Sequence, residues 1–406
     1  MLVTDPDEVA AIAARIGRSP LAAFDVEFVS QDRLVPTLCL VQVAWHSSDA
    51  PDPQTVPEVR LLDALIVDVG PVVAALAAHP TVIAHAARQD LGLFAQRFGA
   101  TLPGLVDTQL MAAFLGLGDQ IGLAALAAEV LGMQLAKEQQ WTDWARRPLS
   151  EAQLSYAGAD VRYLPAIYER LAARLGSRLE WVREESRSVG EDATAAASVT
   201  AETAWQQVGG ARGLDPQGRA ALQALAAWRH RVASEMDRPL GQVLNDKVLV
   251  ERAKVRPRTP GGVRAVKGAS PIAKSRADQI VDVLADALAA EVSAAEPAAH
   301  RGRGPASSRA QRWAEMMIAI VQLVAEQTQI APRLLATRAD AEEAARVVDE
   351  QGLAAAAKLP AFSTWRRAVI GDRWAGWLTG RLAIVGDPAA PSGLALVETA
   401  AGELAQ

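Results

Sequence analysis

The N-terminal part of the chain carries short apolar runs. Residues 21–29, 37–45, 59–62 and 81–84 are dominated by apolar side chains, and each contains β-branched residues. Runs of this length and make-up predict strands, several of them buried on both faces. From Asp90 onward the pattern changes. An apolar segment follows at 91–95, and Ile167, Leu171 and Leu175 recur at helical spacing, which predicts helices. The polar stretch 47–57 reads as a surface turn. The first 180 residues are therefore expected to form an α/β unit.

Beyond about residue 177 the strand signal almost vanishes. Residues 190–203 are small and polar, suited to a linker or a weak helix. Leu222, Leu225, Val232 and Ala233 then share one helical face, Pro239 ends that helix, and Val243, Leu244, Val248, Leu249 and Ala253 resume the pattern. A loop at 257–262 and closing helices at 272–288 complete an all-helical unit. Residues 291–309 are rich in Ala, Pro, Gly and Ser, with Arg301 and Arg303 among them, as in a flexible linker. A second helical unit follows, in which Leu334-Leu335 occupies the place of Val243-Leu244, a faint internal repeat. The expected organisation is 1–180 α/β, 181–212 linker or helix, 213–290 helical, 291–309 linker, 310–386 helical and 387–406 tail.

Composition adds constraints. A chain of 406 residues, half of them hydrophobic, suffices for two or three domains with sizeable cores. Its 41 basic and 47 acidic residues give a net charge of −6. Any nucleic-acid contact must therefore be local. Lys247, Arg252, Lys254, Arg256, Arg258, Arg264, Lys267, Lys274 and Arg276 lie in a stretch with few acids. This is either a track for a phosphate backbone or the ordinary solvated face of a bundle. The five tryptophans from Trp205 to Trp374 read as core anchors. Cys39 is the only cysteine and sits in an apolar strand, which excludes internal disulfides and cysteine-clustered zinc. No stretch is long enough to span a bilayer and no leader pattern opens the chain. A cytoplasmic location without membrane contact is expected.

Two charges interrupt the first apolar run. Asp25 and Glu27 stand at i and i+2, hence on one face of a strand about 6.5–7 Å apart, while Phe24, Val26 and Phe28 face the core. Two desolvated carboxylates side by side are costly without a cation; the other reading is an exposed edge face. Tyr156 and Asp160, four apart, share one face of a helix, with the small residues Ala157, Gly158 and Ala159 between them leaving room for a substrate backbone. Asp90 opens a helix, where an acid can serve simply as a cap. Taken in order, four carboxylates and a phenol are what a two-metal phosphodiester hydrolase needs. Mg²⁺ prefers such oxygen ligands.

These segments resemble the 3′→5′ exonuclease domain of the ribonuclease D family, in the tyrosine-containing branch of the DEDD superfamily. Asp25-Val26-Glu27 is similar to the first motif, with Val26 where these enzymes usually carry Thr. The segment 36–43 is similar to the family's second strand, and 85–91, from His85 through Asp90 to Leu91, to the second motif. Residues 107–116 are similar to a signature ahead of a helix, and 141–150 lead into the third motif, Tyr156 to Asp160. The unit at 213–290 resembles an HRDC domain, and two tandem HRDC-like bundles would follow a ribonuclease H-like nuclease. The resemblance implies a 3′→5′ exoribonuclease using two divalent ions, Mg²⁺ or Mn²⁺, on tRNA precursors or other structured RNA. It also implies that Asp25, Glu27 and Asp160 hold one ion, and that Asp25 holds the second with Asp90 acting through that ion's water shell. Tyr156 would orient the attacking water. His85 reads either as a packed residue or as a substrate contact; Lys137 and Arg146 read either as phosphate contacts or as solvated cations. A 3′→5′ DNA exonuclease and a catalytically silent RNA-binding protein are the alternatives.

Overall fold

The computed structural model describes residues 1–46, 56–135, 142–211, 213–289 and 306–399. Lys137 lies outside these residues, as do 47–55 of the expected turn, 291–305 of the expected linker and 400–406 of the expected tail.

The sheet is mixed and six-stranded, in the order β1-β4-β3-β2-β5-β6. Its strands are β1 (Leu2–Val3), β2 (Ala22–Val29), β3 (Thr37–Trp45), β4 (Glu58–Asp63), β5 (Val82–Ala84) and β6 (Leu105–Asp107). The four expected strands are all present. β1 and β6, of two and three residues, are too short to show a period and form only through parallel pairing with β4 and β5. Strand β3 runs antiparallel to both neighbours. Helices α1 (Pro6–Ile16), α2 (Gly70–Ala78) and α3 (Arg88–Phe98) cover the face on which Phe24, Val26, Val41, Val43 and Leu62 are buried. The short helices α4 (Thr108–Ala113) and α5 (Leu123–Leu131) follow, and α6 (Glu151–Arg162) and α7 (Leu164–Leu175) pack on the opposite face.

Much of the segment 181–212, expected from the sequence to be linker or helix, belongs to a 19-residue helix α8 (Leu179–Ala197) that packs on α3 and β6. Its many small polar residues leave no apolar stripe strong enough to announce burial.

The next helices are α9 (Pro216–Met236), α10 (Leu240–Val243), α11 (Asp246–Val255), α12 (Pro260–Ala265), α13 (Pro271–Ser275) and α14 (Ala277–Ala289). They close around their own core of Leu222, Leu225, Trp228, Leu249 and Ile280. This bundle meets the sheet domain at the β2–β3 turn. The Leu34 N–H donates to Asp237 Oδ1 at 3.1 Å and the Gln242 side chain to Asp32 at 2.6 Å, with Leu34 packed against the bundle core.

The last unit comprises α15 (Ser308–Thr328), α16 (Pro332–Leu335), α17 (Arg338–Gln351), α18 (Thr364–Arg366) and α19 (Asp372–Leu378). The expected tail is in part a hairpin of β7 (Leu382–Gly386) and β8 (Leu394–Glu398), whose Ile384 and Leu396 pack on the unit. This unit has no core of its own. Met317, Ile320, Trp365 and Trp374 join Met111, Phe114, Ile167 and Leu171 in one cluster. Trp365 stacks on Trp181 of α8 at 5.3 Å and its indole N–H donates to Glu185 at 3.0 Å. Arg366 grips the same carboxylate at 2.6 and 2.7 Å.

Candidate active site

Antiparallel pairing sets the floor of the site. Asp25 lies opposite Gln42 and Glu27 opposite Leu40, with a register shift after Glu27. Directly opposed residues share a face, so Asp25, Glu27, Leu40 and Gln42 all look toward α6. That helix starts from a capping box between Ser150 and Gln153, which fixes its first turn. Its small residues Ala157 and Gly158 are buried and let it lie close to the sheet. Asp160 is thereby brought over β2. One oxygen each of Asp25, Glu27 and Asp160 lies within 4.8 Å of the others. Asp90, in the first turn of α3 and 8% exposed, faces Asp25 from the side without joining this triangle.

Burial and mutual repulsion mark the cluster. Burial is the first cause of the upward pKa shift in every member. Asp25 rises to about 6. Glu27 rises to about 9, with Asp25, Asp160 and Asp90 adding to the effect of burial. Asp160 rises to about 8, opposed by a hydrogen bond from Tyr156, and Asp90 is pushed well up with help from Asp25 and Asp107. Tyr156 is raised too, by burial and then by the same carboxylates, so its hydroxyl keeps its proton. None of the four acids has an ion-pair partner among the described residues.

A set of hard oxygen donors with negative charge in excess fits divalent ions of the Mg²⁺ or Mn²⁺ type. Gln42 supports that fit. It is fully buried, shares the face of Asp25, and neither atom of its amide has a protein partner; a hydrated ion is the surrounding such an amide tolerates. Metal-free protein is expected to lose stability as pH rises. Each raised carboxyl stabilises the fold fully below its unfolded value of about 4, and this contribution is lost as pH climbs through about 6 for Asp25, 8 for Asp160 and 9 for Glu27. Melting temperature measured in EDTA from about pH 5 to about pH 9 should fall, and Mg²⁺ should restore it most at the alkaline end. A flat or rising profile would contradict this electrostatic account.

Sequence patterns miss the wall beside Tyr156. Trp144, 3% exposed, packs against Tyr156 with ring centroids 6.2 Å apart. It is held by Arg147, whose guanidinium bonds both oxygens of the buried Asp63 at 2.6 Å and the carbonyls of Cys39 and Trp144 at 2.9 and 2.7 Å. Arg147 is thus consumed internally. Its neighbour Arg146 is exposed and has no ion pair among the described residues. An acid ending an apolar strand, as Asp63 does, was the signal that a buried cation would have to answer it.

Other expectations divide. His85 is not free to meet a substrate: its Nδ1 lies 2.9 Å from Thr108 Oγ1 and its Nε2 3.0 Å from the Ile121 carbonyl, and burial depresses its pKa. In the basic stretch, Arg252 is fully buried and donates to the Val263 carbonyl. Arg256 binds Asp215 at 2.7 and 3.0 Å, where Asp215 caps α9; Arg276 pairs with Glu235 at 3.1 Å. These three serve the bundle itself. Lys247, Lys254, Arg258, Lys267 and Lys274 remain exposed. Cys39 is buried, and of the tryptophans Trp228, Trp365 and Trp374 are buried as anchors.

Comparison with known proteins decides the family. A 3′-5′ exonuclease family model matches residues 1–176 and an HRDC domain model matches residues 219–284. Ribonuclease D of Gluconacetobacter diazotrophicus is 32% identical over 390 residues, covering 94% of this chain and 93% of the relative. This chain belongs to the ribonuclease D family. Ribonuclease D of Sphingobium indicum is 33% identical over 391 residues, covering 94% and 95%. The crystal structure of Escherichia coli RNase D, described as an exoribonuclease involved in structured RNA processing, superposes with a TM-score of 0.76 at 26% identity, covering 93% of this chain and 98% of that one. As a ribonuclease D, the chain is a 3′→5′ exoribonuclease with a mixed-sheet exonuclease domain and a helical HRDC domain. No helix among the described residues is long and apolar enough to cross a membrane.

Proposed function

We propose that this ribonuclease D removes 3′-terminal nucleotides one at a time from structured RNA, tRNA precursors among them, by two-metal-ion hydrolysis in a ribonuclease H-like nuclease domain. The observation that carries the reading is the triangle of Asp25, Glu27 and Asp160 oxygens with Asp90 set beside Asp25. Divalent ions bound there would supply positive charge at the scissile phosphate. Asp25, Glu27 and Asp160 would hold one ion, and Asp25 would also serve the second, with Asp90 supporting it through water. Tyr156, whose hydroxyl donates to Asp160, would orient the attacking water through its oxygen; a phenol whose pKa is raised keeps its proton and cannot act as the base. Arg146, exposed just ahead of α6, would meet a phosphate of the substrate.

The two helical units read as tandem HRDC-like bundles. Each begins with a 21-residue helix, α9 or α15, ending in a left-handed residue, Asp237 or Gln329. Each continues with a four-residue helix, α10 or α16, and then a helix capped by Asn245 or Thr337. The substrate class is supported by the description of the Escherichia coli relative.

A tRNA precursor labelled at its 5′ end tests the reading. Shortening by single nucleotides from the 3′ end, dependent on Mg²⁺ or Mn²⁺ and far slower on DNA of the same sequence, is expected. Cleavage undiminished by EDTA would overturn it. For the bundle, reversing the charges of Lys254 and Arg258 should flatten the plot of log affinity against log salt by roughly 0.7–0.9 per lost phosphate contact, with turnover on short RNA unchanged. Identical slopes would make these cations a solvated face. Arg256 is unsuited to this test, because its reversal would unseat the cap of α9.

A further inference from the structure

Helix α3 carries Asp90 but cannot cap itself. The chain enters it through Ala86, at φ +57°, a left-handed conformation disfavoured for any residue with a β-carbon. The N-cap position is Ala87, which offers no side-chain acceptor. An acceptor for the entry turn itself, rather than for the first-turn N–H groups, comes from β6, two strands away from β2 on the far side of β5. Asp107, 4% exposed, takes the Ala86 N–H on Oδ1 at 2.9 Å and the Ala87 N–H on Oδ2 at 3.1 Å. The same Oδ1 accepts from Gln109 at 2.8 Å and so caps α4 as well. Asp107 is itself anchored, since its own N–H donates to the buried Ser186 Oγ at 3.1 Å.

We infer that Asp107 is a positioning residue for the second metal ion, fixing the left-handed turn at Ala86 and Ala87 and thereby the direction in which Asp90 faces Asp25. The inference rests on the two-ion reading of the site. Three N–H groups converge on one buried carboxylate, and two of them belong to the turn that launches the ligand-bearing helix. Asp90 follows Ala87 by three residues, within one helical turn. A rotation of the entry turn would reach its carboxylate, which has no ion-pair partner among the described residues and stands outside the oxygen triangle. The chemistry requires an acid at position 107. Asparagine retains one acceptor oxygen, enough for Ala86 and Gln109 but not for Ala87; alanine retains none. Groups that orient metal ligands without touching the ion commonly change metal affinity by about 10- to 100-fold.

The test uses the full chain with Mn²⁺ alone. Calorimetric titration of wild type should resolve a tighter and a weaker ion. In Asp107→Ala the weaker site should lose at least about tenfold in affinity while the tighter one stays within about twofold of wild type; Asp107→Asn should fall between. Amide hydrogen exchange should quicken at residues 86–91 and remain unchanged in β2 and β3. Two ions in wild type with an unaltered weaker site in the variants overturns the inference alone, even if exchange at 86–91 quickens, because Asp107 is then only a cap. A wild type that binds a single ion overturns the two-ion reading and the inference with it. Should Asp107→Ala fail to fold, Asp107→Asn decides the matter through a smaller loss at the weaker site.

Discussion

Asp25→Asn is expected to reduce turnover at saturating Mg²⁺ by about a thousandfold or more, a loss of about 4 kcal/mol of transition-state stabilisation. Asp25 is the member of the cluster shared by both halves of the site. Its carboxyl belongs to the oxygen triangle with Glu27 and Asp160, and it is also the charge that most raises Asp90. Asparagine keeps the shape and one oxygen but removes the charge that holds cations together at close range. The fold should survive, because Asp25 is a source of repulsion in the metal-free protein: its charge raises the pKa of both Glu27 and Asp160. Metal-free Asp25→Asn should therefore melt no lower than wild type, and higher at alkaline pH, while its Mn²⁺ affinity drops. Near-normal turnover of a 3′-labelled RNA by the variant would remove Asp25 from the chemistry.

The largest expected effect on stability lies far from the carboxylates. Trp365→Ala should cost about 3–5 kcal/mol, the range for deleting a large buried aromatic. Trp365 is 6% exposed. It stacks on Trp181 at 5.3 Å, meets Phe114 edge-on at 5.0 Å, and donates to Glu185 at 3.0 Å. Its loss opens a cavity between α8, α4 and the last unit and strips one donor from a nearly buried acid. The urea midpoint of the full chain should fall clearly, and residues of α7 and α8 should lose hydrogen-exchange protection together with those of α15. An unchanged midpoint would mean that the last unit merely rests on the nuclease. For the same reason a chain ending near residue 200 is expected to aggregate: it would uncover Phe114 and Trp181, which Trp365 covers, and truncate the core cluster that the last unit shares with the nuclease domain. The HRDC bundle built from α9 to α14 differs, for it has its own core and meets the sheet domain at the β2–β3 turn through the packed Leu34 and exposed polar contacts, the latter of a kind that contributes little to stability.

The clustered carboxylates were legible because their relations are local. A spacing of two along a strand puts Asp25 and Glu27 on one face whatever the rest of the chain does, and a spacing of four along a helix aligns Tyr156 with Asp160. Apolar runs long enough to show their period announced the major strands, and the helical stripes announced the first bundle. Composition alone left the metal without any cysteine or histidine cluster to hold zinc.

What depended on distant partners could not be read in this way. Arg146 and Arg147 are adjacent and identical in type, yet one is exposed and the other is spent on Asp63, 84 residues away in sequence. His85 and Arg256 looked like candidates for substrate until the turn at Thr108 and the cap at Asp215 claimed them. Strands of two or three residues, the α8 helix and the β7–β8 hairpin have too little period of their own, and they take shape from the surfaces that they pair with or cover. Backbone periodicity is enough to put Asp25 beside Glu27 and Tyr156 beside Asp160 on the elements that carry them, because each pair is written within a few residues. Which charges are free, how α3 is aimed at the site, and that the last helices complete the nuclease core are settled only in the folded chain, because they depend on which distant surfaces exclude water together.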